Sequence, residues 1–199
     1  MTHQTKIAVV TGSNRGLGYA ISRKLSQIGI HVVLTSRNET DGVAAKQQLS
    51  SEGLDVNYHL LDVTSNTSVT EFTQWLRQTY GKLDILVNNA GINPTAKPEE
   101  SSLLTVQLET MQATFNTNVL AVLRISQALI PLMKANHYGR IVNVSTEMAS
   151  LSNITSDYYP LAPSYRLSKI GVNGLTGLRQ KSSPNVTQTS FVSSKHVTI

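Results

Sequence analysis

The sequence predicts an α/β protein built on a doubly wound parallel sheet with helices on both faces. Three observations carry that expectation. Short apolar runs alternate with amphipathic stretches along residues 6–178, at the spacing of repeated strand–helix units. A glycine-rich turn, Gly12-Ser13-Asn14-Arg15-Gly16-Leu17-Gly18, follows the first apolar run and opens the first amphipathic stretch. Near the end of the alternating region, Tyr165 and Lys169 stand at i and i+4, neighbours on one face of a helix.

Residues 6–11 (KIAVVT) read as a buried strand ended by Gly12. A helix is predicted over 16–28, with Leu17, Ala20, Ile21, Leu25 and Ile28 on one face and Gly29 as its stop. Residues 31–35 form the second strand, 40–51 a helix ending near Gly53, and 56–61 the third strand. An amphipathic helix over 69–80 stops at Gly81, and 83–88 is the fourth strand. A polar loop with Pro94 and Pro98 follows. A long helix runs from about 106 to 135, with Pro131 expected to bend or break it. Residues 140–144 are the fifth strand and 164–178 the sixth helix. In such sheets ligands bind beyond the carboxyl ends of the strands, where the strand order reverses. Both the glycine turn and the tyrosine–lysine pair fall at strand ends or on the helix that follows one.

A chain of 199 residues with 40% hydrophobic and 15% charged content suits one ordinary globular domain. It has no cysteine, which excludes disulfides, thiolate nucleophiles and cysteine-ligated zinc. The five histidines are scattered, so no metal site is expected. No run approaches the length of a membrane span, and the N-terminus, polar through Lys6, lacks a signal-peptide pattern. The expected compartment is the cytoplasm, with no membrane partner. All 12 acidic residues lie at or before Asp157, leaving Arg166, Lys169, Arg179, Lys181 and Lys195 with no acid nearby in sequence. These cations are too sparse for a nucleic-acid stripe and read as a solvated basic end.

Each motif has a chemical reading. Glycines let the backbone approach a phosphate closely and adopt positive φ, and a helix N-terminus favours an anion. A phenol beside an ammonium is a proton donor whose pKa the cation would lower toward neutrality. A cofactor cradle followed by such a donor is the pair of parts that a nicotinamide-dependent reductase needs.

Taken together and in order, these residues resemble the short-chain dehydrogenase/reductase family over roughly residues 6–178, and 32–53 with 83–92 resemble its carbonyl-reductase branch. The motifs are Thr11-Gly12-x-x-x-Gly16-x-Gly18, Asp62-Val63, Asn88-Asn89-Ala90-Gly91, Asn118, Ser145-Thr146 and Tyr165-x-x-x-Lys169. The resemblance implies a Rossmann-type sheet and carbonyl–alcohol interconversion by hydride transfer, with Tyr165 as general acid/base. It implies that Lys169 binds the nicotinamide ribose, Asn118 holds a water in the lysine's proton relay, and Asp62-Val63 meets the adenine. Asn89, Ala90 and Gly91 would lie beside the cofactor. Ser13, Asn14 and Arg15 can add contacts within the turn. At the end of the second strand, Ser36-Arg37 replaces the carboxylate that selects NAD. Arg37, with Arg15, therefore favours NADP(H), since a guanidinium fork matches a phosphate. The family places a serine second in a Ser-Ser pair after the fifth strand. Register here puts Thr146 at that place, with Ser145 as the substitute if the strand end shifts by one.

Residues 147–164 resemble the insertion of carbonyl reductases and would form one wall of the pocket for a small carbonyl or alcohol substrate. After about Arg179 the text turns serine-rich and basic, so 1–179 is expected to be the reductase domain and 180–199 a divergent tail. Residues 189–192 offer a weak strand at most, and the Pro-Gly turn of the family does not follow. The end resembles a truncated form of a longer reductase, with C-terminal strands incomplete, a sheet edge exposed and the family's homodimer or homotetramer weakened. The alternative is a catalytically impaired member that binds dinucleotide or keeps only the partial fold.

Overall fold

In the computed structural model, which describes residues 5–154, 157–180 and 186–193, six parallel strands are flanked by helices on both sides. The elements in order are β1 (Ile7–Val10), α1 (Gly16–Gln27), β2 (His31–Ser36), α2 (Glu39–Ser51), β3 (Val56–Leu60) and α3 (Asn66–Tyr80). Then come β4 (Ile85–Asn88), α4 (Leu108–Phe115), α5 (Ala121–Ala135), β5 (Gly139–Thr146), α6 (Pro163–Gln180) and β6 (Val186–Ser193). The sheet order is β3-β2-β1-β4-β5-β6, so the direction of winding reverses between β1 and β4. The glycine turn after β1 and the Asn88–Gly91 turn after β4 therefore meet at the point where such sheets bind ligands.

Near-continuous apolar strands bury both faces of the sheet. One cluster joins Val9, Val33 and Leu86 to Phe72 and Leu76 of α3 and to Ile125, Leu129 and Met133 of α5. The other joins Ala8, Val10, Val32 and Leu34 to Leu49 of α2 and to the partly buried Leu17, Ile21 and Leu25 of α1. The helix starts follow their capping residues. Asn38 Oδ1 accepts from Asp41 N at 3.1 Å before α2, and Ser65 Oγ accepts from Ser68 N at 3.3 Å before α3.

Four expectations are corrected. The fully buried face of α1 is Gly18, Ser22 and Ser26, whereas Ile28 is 62% exposed. A small-residue stripe lets the helix sit close on the turn: a Cβ on Gly18 would lie 2.4 Å from Asn89 Nδ2 and 2.6 Å from Gly12 O. The leucines and isoleucines flank that stripe. Second, Pro131 lies inside α5 without ending it, and the long helix is irregular instead at Asn116–Leu120, one π turn between α4 and α5. Third, the stretch Leu108–Ala135 is long and apolar enough to cross a membrane, contrary to the reading that no run is. Its buried residues pack on the sheet, and a core helix has that composition for that reason.

Fourth, the weak strand expected at 189–192 within the divergent tail is longer and fully paired. It forms β6, which pairs with β5 along its length, from Gly139 opposite Val186 to Thr146 opposite Ser193. Val186 enters the core, and Ser190 Oγ donates to Thr176 Oγ1 of α6 at 3.0 Å. Threonine, valine and phenylalanine suit a pleated surface once a neighbouring strand supplies the backbone partners, and a polar run shows no such partner in its own sequence. The edge of the sheet on this side is thus β6 rather than β5. Residues 181–185 and 194–199, which belong to the expected tail, lie outside the described residues.

Candidate active site

The glycine turn is held by the turn across from it. Gly12 (φ +62°) and Gly16 (φ +58°) take the left-handed conformation, and a Cβ on Gly12 would meet Ala90 Cα at 2.9 Å. Asn89 Nδ2 donates to the carbonyls of Thr11 and Gly12, both at 2.9 Å. Thr11 Oγ1 accepts in return from the backbone N–H groups of Asn89 and Ala90, both at 3.0 Å. The N-terminus of α1 has neither a side-chain cap nor an acid in its first turn, leaving its positive end to an anion.

Beyond this turn lies a cavity of about 570 Å³, lined among others by Gly12, Asn14, Arg15, Gly16 and Arg37. Asp62, Val63, Ala90 and Gly91 also line it. Two cations thus face one carboxylate, and Asp62 Oδ1 is engaged by Thr64 N at 2.8 Å and Thr64 Oγ1 at 2.7 Å. Ser36, where a ribose-binding carboxylate would stand, donates instead to Asn38 O at 2.5 Å. The residues present fit a phosphorylated dinucleotide: an open glycine turn at a helix N-terminus, with the guanidinium groups of Arg15 and Arg37 lining the same cavity.

A second cavity of about 360 Å³ adjoins the first, sharing Asn89, Gly91, Ile92 and Asn93. Leu17, Val144, Ser145, Thr146, Met148, Tyr165 and Lys169 complete its lining. β5 delivers the two hydroxyl residues and α6 the phenol and the amine.

Lys169 is 5% exposed, and its Nζ donates to Val144 O at 2.7 Å. Burial lowers its pKa to about 8. The Nζ lies 5.8 Å from the centroid of the Tyr165 ring. Burial raises the Tyr165 pKa above the ordinary phenol value. The expectation that the phenol's pKa falls toward neutrality is thereby corrected: desolvation of the phenolate by burial moves it the other way. Tyr165 stays a protonated donor at neutral pH.

Three expected site residues stand behind the cavities rather than in their walls. Ser13 is fully buried, its Oγ donating to Val10 O at 2.8 Å and accepting from Thr35 N at 2.9 Å, so it ties β1 to β2. Gly18 provides the close helix approach described above. Asn118, on the π turn, accepts from Ile92 N at 2.8 Å and donates to Ile92 O at 3.0 Å and Ser168 Oγ at 2.9 Å. Both its side-chain donor hydrogens are therefore used in fixing the cavity wall to α6. π turns recur at functional sites, where they re-aim side chains.

The two hydroxyls after β5 differ. Ser145 Oγ is shut off from solvent and has no hydrogen-bond partner among the described residues. Thr146 is partly exposed, and its Oγ1 accepts from Met148 N at 3.3 Å.

Two charged residues escaped the sequence reading. Arg166, expected to be a solvated cation, is 3% exposed, and Glu100 is 2% exposed. Glu100 accepts from Ser164 N at 3.1 Å and Ser164 Oγ at 2.6 Å, capping α6 from a loop 64 positions upstream. The carbonyl-only partners of Arg166 leave no trace in a charge pattern. Of the other cations in that group, the side chain of Arg179, Lys181 and Lys195 lie outside the described residues.

Comparison with known proteins assigns the class. Residues 6–189 match the family described as short chain dehydrogenase, and the chain belongs to that family. It is 37% identical to (+)-neomenthol dehydrogenase of Arabidopsis thaliana over 171 residues, 77% of this chain and 57% of that protein. It is 36% identical to carbonyl reductase [NADPH] 3 of Rattus norvegicus over 184 residues, 91% of this chain and 63% of that one. The chain thus spans less than two thirds of the length of these relatives. A metagenomic short-chain oxidoreductase solved in complex with NADP superposes with a TM-score of 0.83 at 28% identity, over 96% of this chain and 82% of that one.

Proposed function

We propose that the protein is an NADP(H)-dependent oxidoreductase that interconverts a ketone or aldehyde and its alcohol. The observation that carries this reading is the convergence of Tyr165, Lys169, Ser145 and Thr146 on one cavity that adjoins another lined by Arg15 and Arg37. NADP(H), when bound, supplies or accepts the hydride.

Gly12, Asn14, Arg15 and Gly16 would hold the pyrophosphate, and Arg37 the 2′-phosphate, with NADP(H) preferred over NAD(H). Asp62 and Val63 would meet the adenine, Ala90 and Gly91 the middle of the cofactor, and Leu17 the nicotinamide side. Tyr165 donates its phenolic proton to the carbonyl oxygen as negative charge develops there, and its raised pKa keeps that proton in place at neutral pH. Lys169 stabilises the phenolate so formed and would hydrogen-bond the nicotinamide ribose. A hydroxyl of the Ser145-Thr146 pair donates to the same carbonyl oxygen and orients it. Asn118 acts at one remove, by fixing Ile92 and the helix that carries Tyr165. Ile92, Val144 and Met148 make the substrate end apolar, which suits a lipophilic ketone such as an alkyl-substituted cyclohexanone.

The test is loss of NADPH absorbance with cyclohexanone and menthone, for the wild type and Tyr165→Phe. The variant should bind NADPH within about twofold of the wild type and lose about a hundredfold or more in turnover. A variant that turns over at the wild-type rate would remove Tyr165 from the chemistry. A wild type that neither binds NADPH nor reduces either ketone would remove the reading itself.

A further inference from the structure

Arg166 follows Tyr165 in the first turns of α6, yet it points neither to solvent nor to an acid. Its Nε donates to Met148 O at 3.1 Å, its Nη2 to Asn153 O at 2.5 Å and its Nη1 to Pro160 O at 3.5 Å. Among the described residues it forms no ion pair. A buried guanidinium is costly to desolvate unless its donors are met, and here each of its three nitrogens donates to a backbone carbonyl of one loop. Met148 and Asn153, two of the three acceptors, lie in the short 3₁₀ turns Glu147–Ala149 and Leu151–Asn153.

The position of that loop gives the contact its consequence. Thr146 and Met148 line the substrate cavity, and Met148 is the residue whose carbonyl Arg166 holds. The cavity wall and the phenol of Tyr165 are thus fixed to adjacent residues of one helix turn. A lysine could not reproduce this, since a single ammonium cannot span carbonyls at 148, 153 and 160 as the planar fork does.

We infer that Arg166 is a positioning residue that, through the carbonyls of Met148, Asn153 and Pro160, clamps the Met148 wall to the Tyr165 turn and so sets the site's selection of substrates by size. The inference rests on the reductase reading given above. A bulky ketone uses the wall for orientation, whereas a small one touches it little. A wall that moves by about 1 Å can cost roughly a hundredfold in rate for a substrate it orients.

The experiment compares Arg166→Met and Arg166→Lys with the wild type, using cyclohexanone and menthone as probes and chymotrypsin to report on the loop. For Arg166→Met, kcat/KM for menthone should fall about tenfold or more relative to cyclohexanone. The NADPH Kd should stay within about twofold, and cleavage after Met148, Leu151 or Tyr158 should quicken several-fold. Arg166→Lys, the milder change, should lie between and keeps the test open if the methionine variant does not fold. Equal losses for the two ketones, or an unchanged cleavage rate, would overturn the clamp. If the wild type reduces neither ketone, the reductase reading falls separately, and the clamp then stands or falls on the cleavage rate alone.

Discussion

Glu100 takes both the backbone N–H and the hydroxyl of Ser164, so a carboxylate from the β4–α4 connection caps the helix that carries Tyr165 and Lys169. Ala162 N also donates to Glu100 O at 3.1 Å. The first turns of α6 are therefore held from two sides, by Glu100 on one loop and by the Arg166 contacts on another.

Removing that cap leaves a buried N–H and a buried hydroxyl without their acceptor. Glu100→Ala should lower the unfolding free energy by about 2 kcal/mol, with Glu100→Gln losing less because an amide oxygen still accepts. Urea denaturation of the three proteins measures this. A loss below about 0.5 kcal/mol for the alanine variant would show that the cap contributes little.

Lys169 gives a pH dependence with a definite sign. Its folded pKa is about 8 against 10.5 in the unfolded chain. Between those values the unfolded chain holds a proton that the folded chain has released, so unfolding free energy rises with pH across that window. Below pH 8 both states are protonated and the penalty of the buried ammonium, roughly 3 kcal/mol, is present in full. Urea midpoints should climb from pH 8 toward 10.5 in the wild type relative to Lys169→Met. The same titration should make kcat/KM for ketone reduction fall above about pH 8, as the free protein loses its ammonium. Parallel midpoint curves for the two proteins would refute the assignment.

Cofactor choice is predicted to turn on Arg37, which lines the first cavity while Ser36 offers no carboxylate. Arg37→Asp should weaken NADPH about tenfold or more and bring NADH to equal or tighter binding, since a charge-assisted contact is exchanged for repulsion. Isothermal titration with both cofactors decides it. Tighter NADH binding by the wild type would contradict the assignment.

The strand–helix order, the glycine turn and the tyrosine–lysine pair were legible because each depends on neighbours within one turn or strand. Val9-Val10 and Val32-Val33 announce buried strands by composition, and Gly12 and Gly16 take the φ that the turn requires. Arg166 and Glu100 were not legible, because their partners are backbone groups or a hydroxyl brought near by the fold. β6 was hidden for a related reason: its pairing partner, β5, is what makes a serine–threonine run a strand. The upward shift of the Tyr165 pKa is not legible either, because sequence spacing reveals the adjacent cation but not the burial that raises it.

The pair after β5 yields the last prediction. Register favours Thr146 as the hydroxyl that meets the substrate, and the two environments favour it as well. Asn143 Nδ2 donates to Thr176 Oγ1 of α6 at 2.9 Å, so alternation along β5 turns Ser145 toward the same covered side. Its Oγ is closed to solvent there. Thr146 sits at the strand end, where its Oγ1 accepts from Met148 N and keeps its own proton to donate. Thr146→Ala should cost about a hundredfold in kcat/KM for ketone reduction, and Thr146→Ser should keep most of the activity. Ser145→Ala should cost less than about fivefold, because it removes a buried hydroxyl that has no partner among the described residues. Steady-state kinetics on the three variants, with NADPH binding checked in parallel, gives the order. If Ser145→Ala proves the more damaging, the strand end presents Ser145 to the substrate and the register assigned to β5 is off by one residue.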